Sequence, residues 1–462
     1  MKIYNNLKII FFFSLSIIFF LILSRIFGNY SYKFDLLNLG LSTSFLIICI
    51  LYIFLFLKKN KKKNYFPFFP LVILYFVICY GLSFEFLNSF FLEKHQKNIS
   101  KVYFLLIVGL FFLGLGYFTF KKILSHRKEI KFLEFNNYNH LLILSFILIV
   151  INIANKFINF IPSSLNQIVI PTISISCSII FYYLIAENKK KKYFFLLPVF
   201  IIILLEVLKS SYVFPAILLL QYLVIYFIIK RKIPIFLILI FFIFFIVLHS
   251  HKNDFRNHLT KNNITNLSNA TKIFYEIYSK RLHNFKETQY FNLDDNHNYQ
   301  RIAHSFMSLY IIVDKTPNNI PYWKGETYKI IYSKFIPRIF WPNKPSDITG
   351  NIAGKRYEMI SVSDFHTSWN FPILNESYAN YGFMGVIIVT FFLGILVRLL
   401  TNLFSVNNFN NLESHIGIYI CCTTFFWEPH LSLVYGGLYF PIIFLYILSS
   451  FYKYLIIYLK AK

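Results

Sequence analysis

Two cations lie six residues apart in a proline-rich run, Ile336-Pro337-Arg338-Ile339-Phe340-Trp341-Pro342-Asn343-Lys344-Pro345. Proline fixes the backbone and removes a donor, so such a run can hold Arg338 and Lys344 at set positions without a helix. Arginine offers a planar fork suited to phosphate oxygens, and lysine a compact point charge. The alternative is an interfacial turn, with aromatics at headgroup depth and the cations reaching towards lipid phosphates. Further on stands a carboxylate, in Asn375-Glu376-Ser377-Tyr378-Ala379-Asn380-Tyr381-Gly382-Phe383-Met384-Gly385. Burial of Glu376 would raise its pKa and suit it to accept a proton. The plainer reading is a first-turn carboxylate that favours a helix N-terminus, with Gly382 and Gly385 as close-packing positions between helices. His366, in Asp364-Phe365-His366-Thr367-Ser368-Trp369, is the side chain whose type titrates nearest neutrality. A surface residue is the bland account of it. The chemistry these residue types point to is the holding of an anion and the removal of a proton.

The elements that position them belong to a membrane protein. Of 462 residues, 57% are hydrophobic and only 14% charged. The apolar residues run in blocks of about twenty, enough to cross a hydrocarbon core of about 30 Å. That excludes a soluble enzyme and a disordered tail, and it predicts an all-α, polytopic integral membrane protein. Twelve transmembrane helices are expected near 9–27, 36–57, 66–84, 102–120, 140–159, 168–186, 193–208, 212–229, 233–249, 382–404, 414–428 and 437–456. The first has no small-residue cleavage site and reads as a retained anchor.

Alternate connections are basic: Lys58 to Lys63, Lys121 to Lys131, Lys189 to Lys192, and Lys230-Arg231-Lys232. Positive loops face the cytoplasm, which predicts cytoplasmic termini at both ends. One connection differs. Residues 250–381, between spans nine and ten, form a long extracytoplasmic segment, and long ordered loops usually carry function. The chain is therefore read as spans 1–9 over 1–249, a loop over 250–381 and spans 10–12 over 382–462. Ile273, Phe274, Ile277, Tyr278, Leu282 and Phe285 recur at helical spacing, as do Ile302, Phe306, Leu309 and Val313. A third short helix is expected from Glu326 to Phe335, ended by Pro337. The segment reads as a small helical cap.

The formal charge of +26 would suggest nucleic acid in a soluble protein. Here residues 250–381 hold 16 Lys and Arg against 11 Asp and Glu, a net of +5, which leaves +21 for the rest. Most of that remainder sits in short cytoplasmic loops, where it orients the chain and meets anionic membrane lipids. No nucleic-acid partner is expected. The five cysteines lie in apolar runs with no zinc spacing, so neither a disulfide framework nor a metal site is expected. No phosphate-binding loop or dinucleotide fingerprint occurs, and no cofactor is expected. Glu206 lies three residues before Lys209, which an ion pair along one helix explains. Glu428 and His430 mark the outer end of span eleven, where ionisable residues are functional candidates by default.

The run P-R-I-F-W-P-N-K-P, after a helix with Gly325-Glu326-Thr327-Tyr328, resembles the long loop of O-antigen polymerases, and E-S-Y-A-N-Y-G-F-M-G resembles their entry to the next span. These are the Wzy-type polymerases of bacterial surface polysaccharides, and the residue-level likeness covers about 301–385. One departure is Lys209-Ser210-Ser211-Tyr212, where relatives often place an arginine after a small Gly-Ser turn; Lys209 stands as its substitute.

The resemblance implies a GT-C-like membrane glycosyltransferase of the bacterial inner membrane, with its large loop in the periplasm. It would join undecaprenyl-diphosphate-linked oligosaccharide repeat units into the O-antigen of lipopolysaccharide or into capsule. Chain-length regulator and flippase proteins of the same pathway are the implied partners. On that basis Arg338 and Lys344 are the first candidates for the diphosphate, followed by Arg301, with His304 one helical turn along, and by Arg356 and Lys209. The pair Arg301 and His304 has a solvated helix face as its bland account. Glu376 is preferred to His366 as the general base. An O-antigen ligase shares the loop and the need for cations. A lipid-linked oligosaccharide flippase would instead show repeats, broken helices and charges at the membrane midplane.

Overall fold

The computed structural model describes residues 36–59, 68–81, 83, 98–120, 138–158, 161–162, 166–187, 194–209, 211–230, 255–256, 258–259, 267–284, 297–338, 340–365, 367–404, 412–424, 429–439 and 441–443. Among these there are helices and connecting turns and no strands, so the described part of the chain is all-helical. The spans expected at 9–27 and 233–249 lie outside the described residues, as does most of 437–456.

The chain divides into two units. The first combines Met1–Leu133 with Asn296–Lys462. It contains α1 (Leu36–Lys59), α2 (Phe68–Phe76), which runs into a π-helical turn at Val77–Gly81, and α3 (Ile99–Thr119). The second, Glu134–Asp295, contains α4 (Tyr138–Ile158), α5 (Asn166–Glu187), α6 (Leu197–Leu208), α7 (Val213–Lys230) and α8 (Leu267–Asn284). The first unit resumes with α9 (His297–Lys315), a 3-10 turn at Glu326–Tyr328, α10 (Ile331–Phe335), α11 (Thr349–Arg356), α12 (Ile373–Leu403) and α13 (Leu412–Thr423), and residues 431–439 are again helical. The hydrophilic segment expected as one cap is thus shared between the two units.

Among the described residues, three helices are long and apolar enough to cross a membrane: Leu37–Phe56, Ile99–Thr119 and Ile373–Leu403. Each carries the long charge-free run that a lipid environment demands. In the first unit, α12 packs chiefly against α3. Two glycines permit the close crossing. A Cβ on Gly116 would be driven into the carbonyl of Phe391, and one on Gly394 into that of Leu113. Small residues at facing positions let two backbones approach, the usual device of helix pairs in membranes. Beside them Phe69 stacks on Tyr117 at 4.1 Å between ring centres, and Tyr52, Phe56 and Phe118 close the aromatic layer between α1, α2 and α3.

α12 has 31 residues, a length of about 46 Å, well over the hydrocarbon thickness. It is broken. Tyr381 and Gly382 leave helical geometry, and Gly382 takes φ 59° and ψ −141°, a conformation open to glycine almost alone. A Cβ there would also meet the Tyr322 hydroxyl at 2.6 Å. The polar residues Asn375, Glu376, Ser377 and Asn380 all precede the break, and the apolar run follows it. Gly382 is therefore a break point facing the loop, and Gly385 faces the Ser377 carbonyl of its own helix, so neither follows the alternative of close packing between helices.

In the second unit α5 packs against both α4 and α7. A buried hydrogen bond from Gln221 Nε2 to Ser174 Oγ at 2.9 Å ties α7 to α5. Glu206 pairs with Lys156 of α4, which corrects the expected pair with Lys209 along α6. Three residues of spacing brought Lys209 near in sequence, but Lys209 terminates α6 and is exposed, whereas Lys156 lies across the helix interface. Phe274 and Ile277 of α8 pack on buried Tyr212.

Candidate functional site

The first turn of α12 is fastened from several directions. Asn375 donates from Nδ2 to the Ser305 carbonyl and to Ser308 Oγ, both at 3.1 Å, and its Oδ1 accepts from the Tyr80 hydroxyl at 2.9 Å. Tyr80 stands on the π-helical turn that ends α2. Asn380 donates to Thr327 Oγ1 at 2.8 Å and accepts from Gly325 N at 2.9 Å. Gly325 has φ 87°, so the turn that delivers these groups needs glycine there. The chain from Trp323 to Thr327 is held alongside by Trp323 N and Lys324 N, which donate to the Ala379 and Asn380 carbonyls.

Glu376 is fully buried. One oxygen, Oε2, accepts from the backbone N–H of Leu431 at 2.7 Å. The other, Oε1, is buried with no hydrogen-bond partner among the described residues. An unpaired polar atom so placed is costly, by about 1–3 kcal/mol or more for a charged group. It is also how a site awaiting a hydroxyl would look.

Next to Leu431 sits a second carboxylate. Asp347 accepts from Lys334 Nζ at 2.7 Å, from Ser432 Oγ at 2.5 Å and from Thr349 Oγ1 at 2.8 Å, and both its oxygens lie 3.1 Å from His430 Nε2. Burial alone would raise this carboxyl. The hydrogen bonds and charge of His430, with the bonds from Lys334 and Ser432, outweigh burial and hold it well below the usual carboxylate range. Sequence reasoning singled out His430 but not Asp347, Lys334 or Ser432. The signal available for Asp347 was Asp347-Ile348-Thr349 ahead of a helix, which reads as nothing more than a capping turn. Eighty-odd residues separate Asp347 from its partners at 430 and 432.

The cations of the proline-rich run face inwards. Lys344 is 5% exposed, and its amine donates to the Ser333 carbonyl at 3.0 Å and the Ile336 carbonyl at 2.9 Å. Burial, then the like charges of Arg338 and Lys334, lower its pKa from the ordinary lysine value. Arg338 is half-buried and donates from Nη1 to the carbonyls of Pro342 and Lys344, at 3.2 and 3.1 Å. The donors on Nε and Nη2 are left for other partners. The aromatics of the run point the other way, with Phe340 80% exposed.

The remaining candidates are spread more widely. Arg356 stacks on Trp323, 4.2 Å from the ring centre, and donates to the Pro321 carbonyl at 2.6 Å. His304 packs on Trp369 at 4.0 Å between ring centres, and Trp369 donates to Ser308, the same hydroxyl that Asn375 reaches. Arg301 lies one turn before His304 in α9. Lys209 belongs to the second unit. His366 and Glu428 lie outside the described residues. Glu376, Asp347, Lys334 and His430 thus form one cluster of titratable side chains, buried at Glu376 and His430 and half-buried at Asp347 and Lys334, with Arg338 and Lys344 in the segment that follows α10. No group of His, Cys, Asp and Glu suited to a metal ion occurs among the described residues.

No curated protein and no solved structure matches the chain. A family model described as a domain of unknown function, DUF8712, matches residues 71–462, well over half of the sequence. The chain belongs to the DUF8712 family.

Proposed function

We propose that the chain is a membrane glycosyltransferase that polymerises undecaprenyl-diphosphate-linked repeat units on the outer face of the bacterial cytoplasmic membrane. In this reading twelve helices cross that membrane, both termini are cytoplasmic and residues 250–381 lie outside. The observation that carries it is Glu376: a fully buried carboxyl with one oxygen held by Leu431 N and the other, near the Thr327 hydroxyl, without a hydrogen bond among the described residues. The likeness of residues 301–385 to Wzy-type loops supplies the substrate class.

In the transfer, a hydroxyl of the incoming repeat unit attacks the anomeric carbon of the growing glycan. The bond from that carbon to the phosphate oxygen breaks, and the diphosphate leaves with the electron pair. Glu376 Oε1 takes the hydroxyl proton. Arg338, through the donors its backbone contacts leave over, meets the charge that develops on the diphosphate. Lys344 shapes the loop that presents Arg338, because its own amine is turned to carbonyl groups.

Deletion of the gene should leave surface glycan with single repeat units in place of a ladder of lengths, seen on a silver-stained gel. A surviving ladder would exclude polymerisation. Loss of all attached glycan, with lipid-linked polymer accumulating, would assign a ligase instead. Glu376→Gln and Arg338→Ala should each abolish the ladder while the protein still reaches the membrane.

A further inference from the structure

The segment 429–432 touches two carboxylates at once. Pro429 O accepts from Ile373 N at 3.1 Å, and Leu431 N donates to Glu376 Oε2 at 2.7 Å, so the segment is laid along the first turn of α12. On its other side His430 and Ser432, the residues flanking Leu431, both bind Asp347. The His430 carbonyl accepts from Leu433 N and Val434 N, which starts the 431–439 helix at Leu431. Asp347 is itself anchored by Lys334 of α10 and by the Thr349 hydroxyl at the start of α11. The direction of one N–H is therefore set by a carboxylate that makes no direct hydrogen bond to Glu376.

We propose that Asp347 is a positioning residue for Glu376, acting through the Pro429–Ser432 strap and the N–H of Leu431. The proposal rests on the reading of Glu376 as the proton acceptor. It assigns to Asp347 a part in the reaction without contact with substrate. By fixing both neighbours of Leu431, Asp347 keeps the N–H on Oε2, which holds the carboxyl in one rotamer with Oε1 turned to the acceptor hydroxyl.

Leu431→Pro isolates the contact. Proline is well tolerated at the first position of a helix, whose N–H makes no intrahelical bond, and its preceding residue favours the extended geometry that suits a cap. The variant keeps the helix and deletes the donor. Glycan polymer per cell should fall about tenfold to a hundredfold, the range for losing one hydrogen bond to a charged group. Asp347→Asn should fall similarly, and Ser432→Ala by a few-fold only. In the Leu431→Pro background, Asp347→Asn should add little, because the route is already cut. If Asp347→Asn costs the same factor in both backgrounds, Asp347 acts independently of the strap and the proposal is overturned.

Infrared difference spectra of the purified full chain give a readout that does not depend on turnover. The Glu376 carboxyl band, assigned by its loss in Glu376→Gln, should shift in Leu431→Pro, in Asp347→Asn and, more weakly, in Ser432→Ala. An unmoved band in Leu431→Pro and Ser432→Ala, with membrane levels preserved, overturns the proposal and leaves the polymerase reading standing. A shifted band together with a normal ladder in Glu376→Gln keeps the contact and removes Glu376 from the reaction.

Discussion

Lys344 illustrates how residue type and residue role separate. By type it is an anion ligand; in place, its amine holds the Ser333 and Ile336 carbonyls and so closes the turn around Arg338. Lys344→Met should therefore destabilise the protein by about 1–3 kcal/mol through two abandoned acceptors, read as a lower thermal midpoint in detergent. Asp347 yields a prediction in pH. Its folded pKa is depressed below the ordinary value of about 3.9, so its contribution to stability is fully present above that value. The contribution fades as the pH falls through the depressed folded value. Asp347→Asn should cost about 3 kcal/mol near neutrality, by leaving Lys334 and His430 without their partner, and the gap to the parent should narrow below about pH 4. Thermal melts across that range would show it. The candidates Arg338, Lys344 and Glu376 were legible because charge inside a proline-rich or span-entry run is conspicuous. Their partners were not, because the choice between a carbonyl nearby and an anion outside depends on contacts that spacing does not encode. Asp347 was hidden for the same reason: locally it is one residue of the turn before α11, and the lysine, histidine and serine that make it more arrive from other elements.

At the scale of elements, the decisive event is the break in α12. Gly382 is forced by backbone geometry and by the Tyr322 hydroxyl, so Gly382→Ala should cost about 1–3 kcal/mol and loosen the polar first turn from the loop. The measurable outcome is a lower thermal midpoint together with faster amide exchange across 373–381. Helix positions were the most legible feature of the sequence. The spans expected at 36–57, 102–120, 140–159 and 168–186 fall on α1, α3, α4 and α5 within a few residues, since long charge-free runs leave little freedom. The short helix expected over 326–335 is instead a 3-10 turn and the five-residue α10 with a turn between them. Gly325 and the hydrogen bonds of Asn380 take over the backbone there, and apolar periodicity carries no trace of either. The glycines that seat α3 on α12, Gly116 and Gly394, stood in plain apolar runs and gave no local sign of a crossing.

For the whole molecule, the reading of orientation leads to a labelling experiment. Phe340 is 80% exposed, whereas Cys49, Cys79, Cys177 and Cys422 are buried, so a single Phe340→Cys thiol stands apart from them. In intact spheroplasts a membrane-impermeant maleimide should modify Phe340→Cys, and a cysteine in place of Lys61 should react only after lysis. Reaction of the Lys61 position in intact spheroplasts would invert the orientation. The net charge of +26 fits this division, with +5 in residues 250–381 and +21 elsewhere. The first unit is built from both ends of the chain, with Glu134–Asp295 made in between. That arrangement has a consequence in time. Tyr80 and Asn375, which share a hydrogen bond, are 295 residues apart, a delay of roughly 15–60 s at about 5–20 residues per second of synthesis. Throughout that interval the face of α3 that carries Gly116 lacks the neighbour it is shaped for, and only the arrival of α12 ends the wait.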